Sequence, residues 1–363
     1  MKKSLIALAV LAASGASFAQ VSITGNLTAG FQSSNVPIGA SVNGGITTAD
    51  QSTSGFGVDT AEVVFSAKED LGGGMKATAK LGLVDAARGM TAGRPNTGFG
   101  PGDAELGLSG GFGQLTLSSS RSTDYLSGGV AGVGGTFMDG RVFFNRVSRD
   151  SVAYSMPIGP VTVGLTYSEA ANRLGLGDGT SGATTSSPVF EVFPARQVAL
   201  AVQYADGPLT ADVGYLSNDK LSSFTWNDTT VTPNVTRAVL DFENKNHLRG
   251  SVSYDLGVVK LGGGMERQSW EYTGTIRTKL TVTDTMLAVS APLGAVTLGA
   301  NWAQREISES TTATGNGSYN GYGLKAAYAL SKRTAVSADY TNWNGAVNAQ
   351  KQSQYNLFLS HSF

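Results

Sequence analysis

Cysteine is absent from all 363 residues. That excludes disulfide staples, thiolate nucleophiles and Cys-ligated zinc together. Only two histidines occur, His247 and His361, so imidazole chemistry has little to draw on. Charged residues make up 15% of the chain and nearly cancel, at a formal −1, so nothing marks a nucleic-acid or anionic-surface binder. Beyond the first residues no run of about 18 apolar residues appears, so helical membrane spans are not expected. Stability must come from packing and hydrogen bonding, and no metal or cofactor is expected.

The N-terminus has the pattern of an export signal. Met1-Lys2-Lys3 is a positive start, Leu5 to Ala13 a short apolar run, and Ala16-Ser17-Phe18-Ala19 a small-residue cleavage site. The expected organisation is a cleaved signal peptide at 1–19 and a single domain at 20–363. Removing Lys2 and Lys3 from 26 basic residues leaves 24 against 27 acidic, a formal −3.

Glycine is abundant, at 48 residues, and the hydrophobic pattern has a period of two. Val21, Ile23, Leu27, Ala29 and Phe31 alternate with Ser22, Thr24, Asn26 and Thr28. The same alternation returns at 75–83, 161–168, 197–204, 296–302 and 323–330. About ten such residues let a tilted strand cross a bilayer, apolar to lipid and polar to a lumen. Short connections rich in turn formers (Glu69–Gly74, Gly110–Gly113, Ile158–Pro160, Asp206–Pro208, Pro292–Gly294, Ser331–Arg333) take turns with long ones (Gln32–Phe56, Ala170–Pro194, Asn218–Asn246). About sixteen strands fit between them. Because lipid tolerates no unpaired sheet edge, the expected fold is all-β, a 16-stranded antiparallel transmembrane β-barrel. It has short periplasmic turns, long extracellular loops and both termini periplasmic.

Particular residues then carry a family likeness. Glu69-Asp-Leu-Gly-Gly-Gly-Met-Lys-Ala77 resembles the "EDLGGGLKA" hairpin of Gram-negative general porins of the Neisseria and betaproteobacterial type. Leu106–Leu117 resembles that family's "LSGNFG" turn, Tyr154-Ser-Met-Pro157 its "YxxP" strand end and Leu330–Val336 its "LSKRT" turn. His361-Ser-Phe363 resembles its "HxF" ending. The resemblance implies a trimeric diffusion channel in the outer membrane whose third loop folds inward and narrows it. Its expected partners are two further copies of the chain, outer-membrane lipid and lipopolysaccharide, the barrel-assembly machinery, and small hydrophilic solutes and ions; nucleic acid is not expected.

On this resemblance the third loop spans about 122–146 and contains the run Gly128–Gly135. Asp124 and Asp139 are its candidate acidic points, with Arg141, Arg146 and Arg149 just beyond. Strand phase sends Glu62, Lys76, Lys80, Glu105, Asp212, Arg249, Lys260, Lys325 and Asp339 to the lumen; of these, Glu62, Lys80, Glu105 and Arg249 are the constriction candidates. Where several family members carry wall arginines this chain has Glu62 and Ser66, and Thr116-Leu-Ser-Ser119 replaces "RLGR". The expectation is a pore less anion-selective than arginine-walled relatives, leaning weakly to cations. The alternating ending Tyr355, Leu357, Leu359 and Phe363 matches the signal read during outer-membrane assembly, with the last strand pairing to 21–31.

Other signals are weaker. Gly177-Asp-Gly-Thr-Ser-Gly182 matches a dinucleotide pattern but opens no helix of a βαβ unit, and reads as loop. His247, at the lip of a strand, and His361, at the membrane interface, assemble no triad with a serine and an acid. Tyr167, Tyr204, Tyr215, Tyr254, Trp302 and Trp343 are expected in aromatic girdles. A substrate-specific channel, a barrel hydrolase and a pore-less adhesin stand as alternatives to a general channel.

Overall fold

The computed structural model describes residues 20–36, 41–42, 45–46, 51–85, 99–121, 124–136, 148–170, 196–218, 224–228, 235–239, 242–272, 279–309, 317–345 and 350–363. The expected signal peptide lies outside them. Among the described residues there are twenty strands: β1 (Gln20–Val36), β2 (Ser41–Val42), β3 (Gly45–Ile46), β4 (Gln51–Gly72), β5 (Met75–Asp85), β6 (Phe99–Gly110), β7 (Gly113–Arg121), β8 (Ser148–Ile158), β9 (Val161–Ala170) and β10 (Arg196–Asp206). They continue as β11 (Leu209–Asn218), β12 (Phe224–Asp228), β13 (Val235–Val239), β14 (Phe242–Asp255), β15 (Lys260–Tyr272), β16 (Lys279–Leu293), β17 (Val296–Glu309), β18 (Gly317–Ala329), β19 (Thr334–Gly345) and β20 (Gln350–Ser362). Sixteen close into one antiparallel barrel, each beside its chain neighbour, and β1 seals against β20. The remaining four form two small hairpins, β2–β3 and β12–β13, within the connections.

The period of two decides which face is which. Leu106, Leu117, Val152 and Tyr167 are direct register partners across β6 to β9, and all four point outward and are exposed. The next row inward is Glu105, Ser118, Ser151 and Ser168. A barrel with apolar residues outside and polar ones inside inverts the usual soluble pattern, as a lipid solvent requires.

Tight turns join the strands at one end. Gly159, Gly207 and Gly294 sit at φ 61°, 54° and 66°, a conformation that costs a residue bearing a Cβ about 1 kcal/mol or more. At the turn 256–259, just before Lys260, Asp255 Oδ1 accepts from the Gly257 N–H at 2.8 Å.

Three expectations need correcting. Gln32–Phe56 is not all loop: β1 and β4 pair without a break from Ala29↔Val58 out to Val36↔Gln51. Apolar alternation ends near Phe31, but the hydrogen-bond ladder does not. His247 lies well inside β14 rather than at its lip, and is buried. Trp343 belongs to no girdle; it points inward and is buried at 6% exposure with Leu126, Ala131, Met286, Ala303 and Tyr319. By contrast Tyr167, Tyr215, Tyr254 and Trp302 are exposed on the outer face.

Candidate functional site

Within the long connection after β7, the stretch 124–136 lies against the barrel's inner wall. Asp124 starts it: the Oδ1 atom accepts from the N–H groups of Leu126 (3.1 Å) and Ser127 (3.0 Å), and its carbonyl accepts from Gly128 N–H at 3.0 Å. Successive tight turns follow, Gly132 N–H to Gly129 O at 3.0 Å and Val133 N–H to Ala131 O at 2.8 Å. Side chains then pin this segment to β14–β19. The Arg249 guanidinium stacks 4.4 Å above the Tyr125 ring. Leu126 is fully buried beside Ala131, Met286, Ala303, Tyr319 and Trp343.

Close approach of two backbones needs a wall without side chains, and inward-facing glycines supply it. A Cβ on Gly299 would overlap the carbonyl oxygen of Gly134, one on Gly262 that of Ala131, and one on Gly323 the Thr136 hydroxyl. At Gly264 it would come 2.8 Å from Leu126 Cδ2. The far edge is fastened by Lys325, whose Nζ donates to Gly135 O at 2.9 Å and lies 3.8 Å from Asp339 Oδ1.

A second layer of charge stiffens this wall. One inward row runs Arg249, Glu266, Asp284, Arg305 across β14 to β17. Arg305 grips the fully buried Asp284 with both Nε and Nη2 at 2.8 Å. Two parallel charge-assisted bonds offset the cost of desolvating such a pair. One strand over, His247 Nε2 is 2.5 Å from Glu266 Oε1. Glu266, Asp284 and Arg305 were not singled out from sequence, though strand phase alone sends them inward; register was needed to show that they meet.

In the closed strand order β6 and β7 lie across the lumen from the covered wall. There Lys80 Nζ is 2.9 Å from Glu105 Oε1, and the two side chains remain 38% and 37% exposed. The adjoining register partners Ser118 and Ser151 share a hydrogen bond of 2.7 Å. Glu62 on β4 and Arg149 on β8 face the same lumen, half-buried. Lys80, Glu105, Glu62 and Arg149 thus line the uncovered side. Asp124 and Arg249 are spent on holding the loop, Asp124 being only 5% exposed. Asp139, Arg141 and Arg146 lie outside the described residues. At the seam, Tyr355, Leu357, Leu359 and Phe363 share the outer face, and Phe363 exchanges two backbone hydrogen bonds of 3.0 Å with Gly25.

An apolar-jacketed cylinder with a loop braced inside it is therefore a conduit with a narrowed waist. The family profile described as Gram-negative porin matches residues 5–346. Outer membrane porin protein 32 of Delftia acidovorans is 29% identical over 321 residues, 82% of this chain and 77% of that protein. Major outer membrane protein P.IB of Neisseria meningitidis serogroup B is 33% identical over 122 residues, 34% of each chain. Among solved structures, the anion-selective porin from Comamonas acidovorans superposes with a TM-score of 0.67 at 20% identity, covering 95% of this chain and all of that one. OmpT of Vibrio cholerae gives 0.65 at 14% identity, covering 95% and 98%. The chain belongs to the Gram-negative porin family, and its barrel is an outer-membrane channel for passive diffusion of solutes.

Proposed function

We propose that this protein is a general, weakly selective trimeric porin without enzymatic activity, in which the loop at 124–136 and the wall formed by Glu62, Lys80, Glu105 and Arg149 set size and charge preference. The short turns and both termini face the periplasm, and residues 1–19 are removed on export. The 2.9 Å Lys80–Glu105 pair carries the reading of charge. On the uncovered wall two cations face two anions, and this pair neutralises itself, so a passing ion meets little net field. In a narrow passage, unbalanced charges would act far more strongly than on an open surface.

Assembly into a trimer is supported by the outer face. Outward residues stay apolar on β9 from Val161 to Tyr167, roughly 15 Å along the barrel axis for a tilted strand. On β1 they stay apolar, or glycine, from Val21 to Phe31, roughly 25 Å, with Ala67 to Phe56 beside them on β4. A taller apolar strip on one sector suits contact with further copies of the chain. The remaining belt meets lipid and lipopolysaccharide, and the strand ending at Phe363 is the part offered to the barrel-assembly machinery.

Reversal potentials in a salt gradient across a planar bilayer test the charge reading. Wild-type channels should reverse near zero or slightly on the cation side. Glu105→Gln frees the Lys80 ammonium and should move the reversal potential toward anions; Lys80→Met frees the Glu105 carboxylate and should move it toward cations. The double variant should return to the wild-type value. Clear chloride preference in the wild type, or equal shifts in one direction, would refute the proposal. A substrate-specific channel would show saturation or block by one solute in the same recordings.

A further inference from the structure

Charge is distributed unevenly around the lumen. The inward positions under the loop carry it: Arg249, Glu266, Asp284 and Arg305 on β14 to β17, with Lys325 on β18. The opposite wall differs. From Gln114 to Ser120 on β7, Ser151 to Pro157 on β8, Thr162 to Ser168 on β9 and Gln197 to Gln203 on β10, no inward residue is charged or aromatic. Hydroxyls and small side chains stand there instead. Ser118 and Ser151 are partners in one inward row, and Thr116, Ala153, Thr166 and Ala199 make up the next, all of them half-buried.

The loop completes the contrast. Asp124 is the one charged residue within 124–136 and is buried, whereas Gly128, Gly129 and Gly135 are exposed. In the closed strand order β7 and β8 stand across from β17 and β18, where Gly134 lies on Gly299 and Gly135 on Lys325. Peptide backbone therefore faces hydroxyls across this part of the passage. Ser118 and Ser151 share a hydrogen bond of 2.7 Å, and Gln114 Nε2 donates to Thr116 Oγ1 at 3.2 Å. These bonds orient the groups without exhausting them, because a hydroxyl has one donor and two acceptor sites. Such a surface favours neither sign of charge, and it can replace the water around a solute hydroxyl in either role. Successive rows lie about 7 Å apart along a strand, close enough for a sugar-sized solute to reach one before leaving the other. An ion finds no counter-charge there. Without inward aromatic faces the contacts stay weak, as free diffusion requires.

We propose that the β7–β9 wall is a hydroxyl track for uncharged polyhydroxylated solutes of pentose size, and that Ser118 and Ser151 set their rate of passage. This names a solute class for the channel and rests on the general-channel reading above. Liposomes carrying the purified, assembled protein are swollen in arabinose and in methionine, which has nearly the same mass and no alcohol hydroxyl. Salt conductance and reversal potential are read on the same preparations. Ser118→Ala combined with Ser151→Ala should lower arabinose flux relative to methionine by roughly threefold, the scale of one net hydrogen bond. Conductance and reversal potential should match wild type, since no charge changes and no side chain grows, which verifies folding. Ser118→Thr combined with Ser151→Thr keeps both hydroxyls and should keep the arabinose-to-methionine ratio. An unchanged ratio in the alanine pair, or an equal loss in the threonine pair, would overturn the track and leave the channel reading standing. A wild type that conducts no salt would overturn both.

Discussion

Gly299→Leu should narrow the channel, cutting single-channel conductance by at least about half, since even a Cβ there must push the Gly134 carbonyl back toward a normal contact of about 3.5 Å. The reason lies in the direction of the push. The loop is seated between the β17 wall and the lumen, so a wedge beneath it moves it toward Lys80 and Glu105. Gly299→Ala should act in the same sense but less, because one methyl group demands a smaller step. Arg249 on Tyr125, Leu126 in its buried cluster and Lys325 on Gly135 hold the loop on either side of the wedge, so it bows rather than detaches. Planar-bilayer recordings decide the matter. A rise in conductance would mean that the loop comes off its seat, and would sink the idea of a braced strut.

Removing Phe363 should reduce the yield of assembled channels by at least about tenfold, because two backbone hydrogen bonds of about 1 kcal/mol or more each are lost where lipid offers no replacement. Both of those bonds join Phe363 to Gly25 at the closing seam. The aromatic ring lies over the glycine, so a Cβ at residue 25 would overlap ring atom Cζ. Gly25→Val should therefore impair closure as well. Phe363→Ala separates two contributions, since it keeps the backbone pairing and loses the ring. If the ring is read during assembly, Phe363→Ala should fail as badly as the deletion; if only the seam matters, it should fare clearly better. Channels that do form should conduct as wild type in every case. Normal yield of heat-resistant trimer from the deletion would contradict the proposal.

Much of the barrel was legible in the sequence because its physics is local. Alternation along 21–31 and 161–168 tells lipid from lumen without any tertiary contact, and glycine-rich turns such as 69–74 mark where the chain reverses. The errors fall where a second chain segment decides. β1 and β4 run on past the last apolar alternation because each supplies the other's hydrogen bonds. Trp343 stands near a strand end, where aromatics often meet the interface, but Val336, Ala338 and Tyr340 already set its phase inward, and the loop covers it. Asp124 reads as a free acid in a loop, and only the folded turn shows both backbone N–H groups on its carboxylate. The wall glycines 262, 299 and 323 were visible as letters, yet nothing local distinguishes a seat for a loop from a weak spot in a strand.

The brace inside the barrel is also a matter of timing. Residues 124–136 leave the wall after the fifth barrel strand, yet Lys325, which donates to Gly135, stands 190 residues further along the chain. Loop closure over such distances is slow and contributes little until both ends are in place. The early strands carry the loop, and the late strands carry every side chain and glycine that seats it. The waist therefore needs both halves of the chain at once, the loop from the early strands and its seat from β14–β19, and neither half alone sets the calibre of the channel.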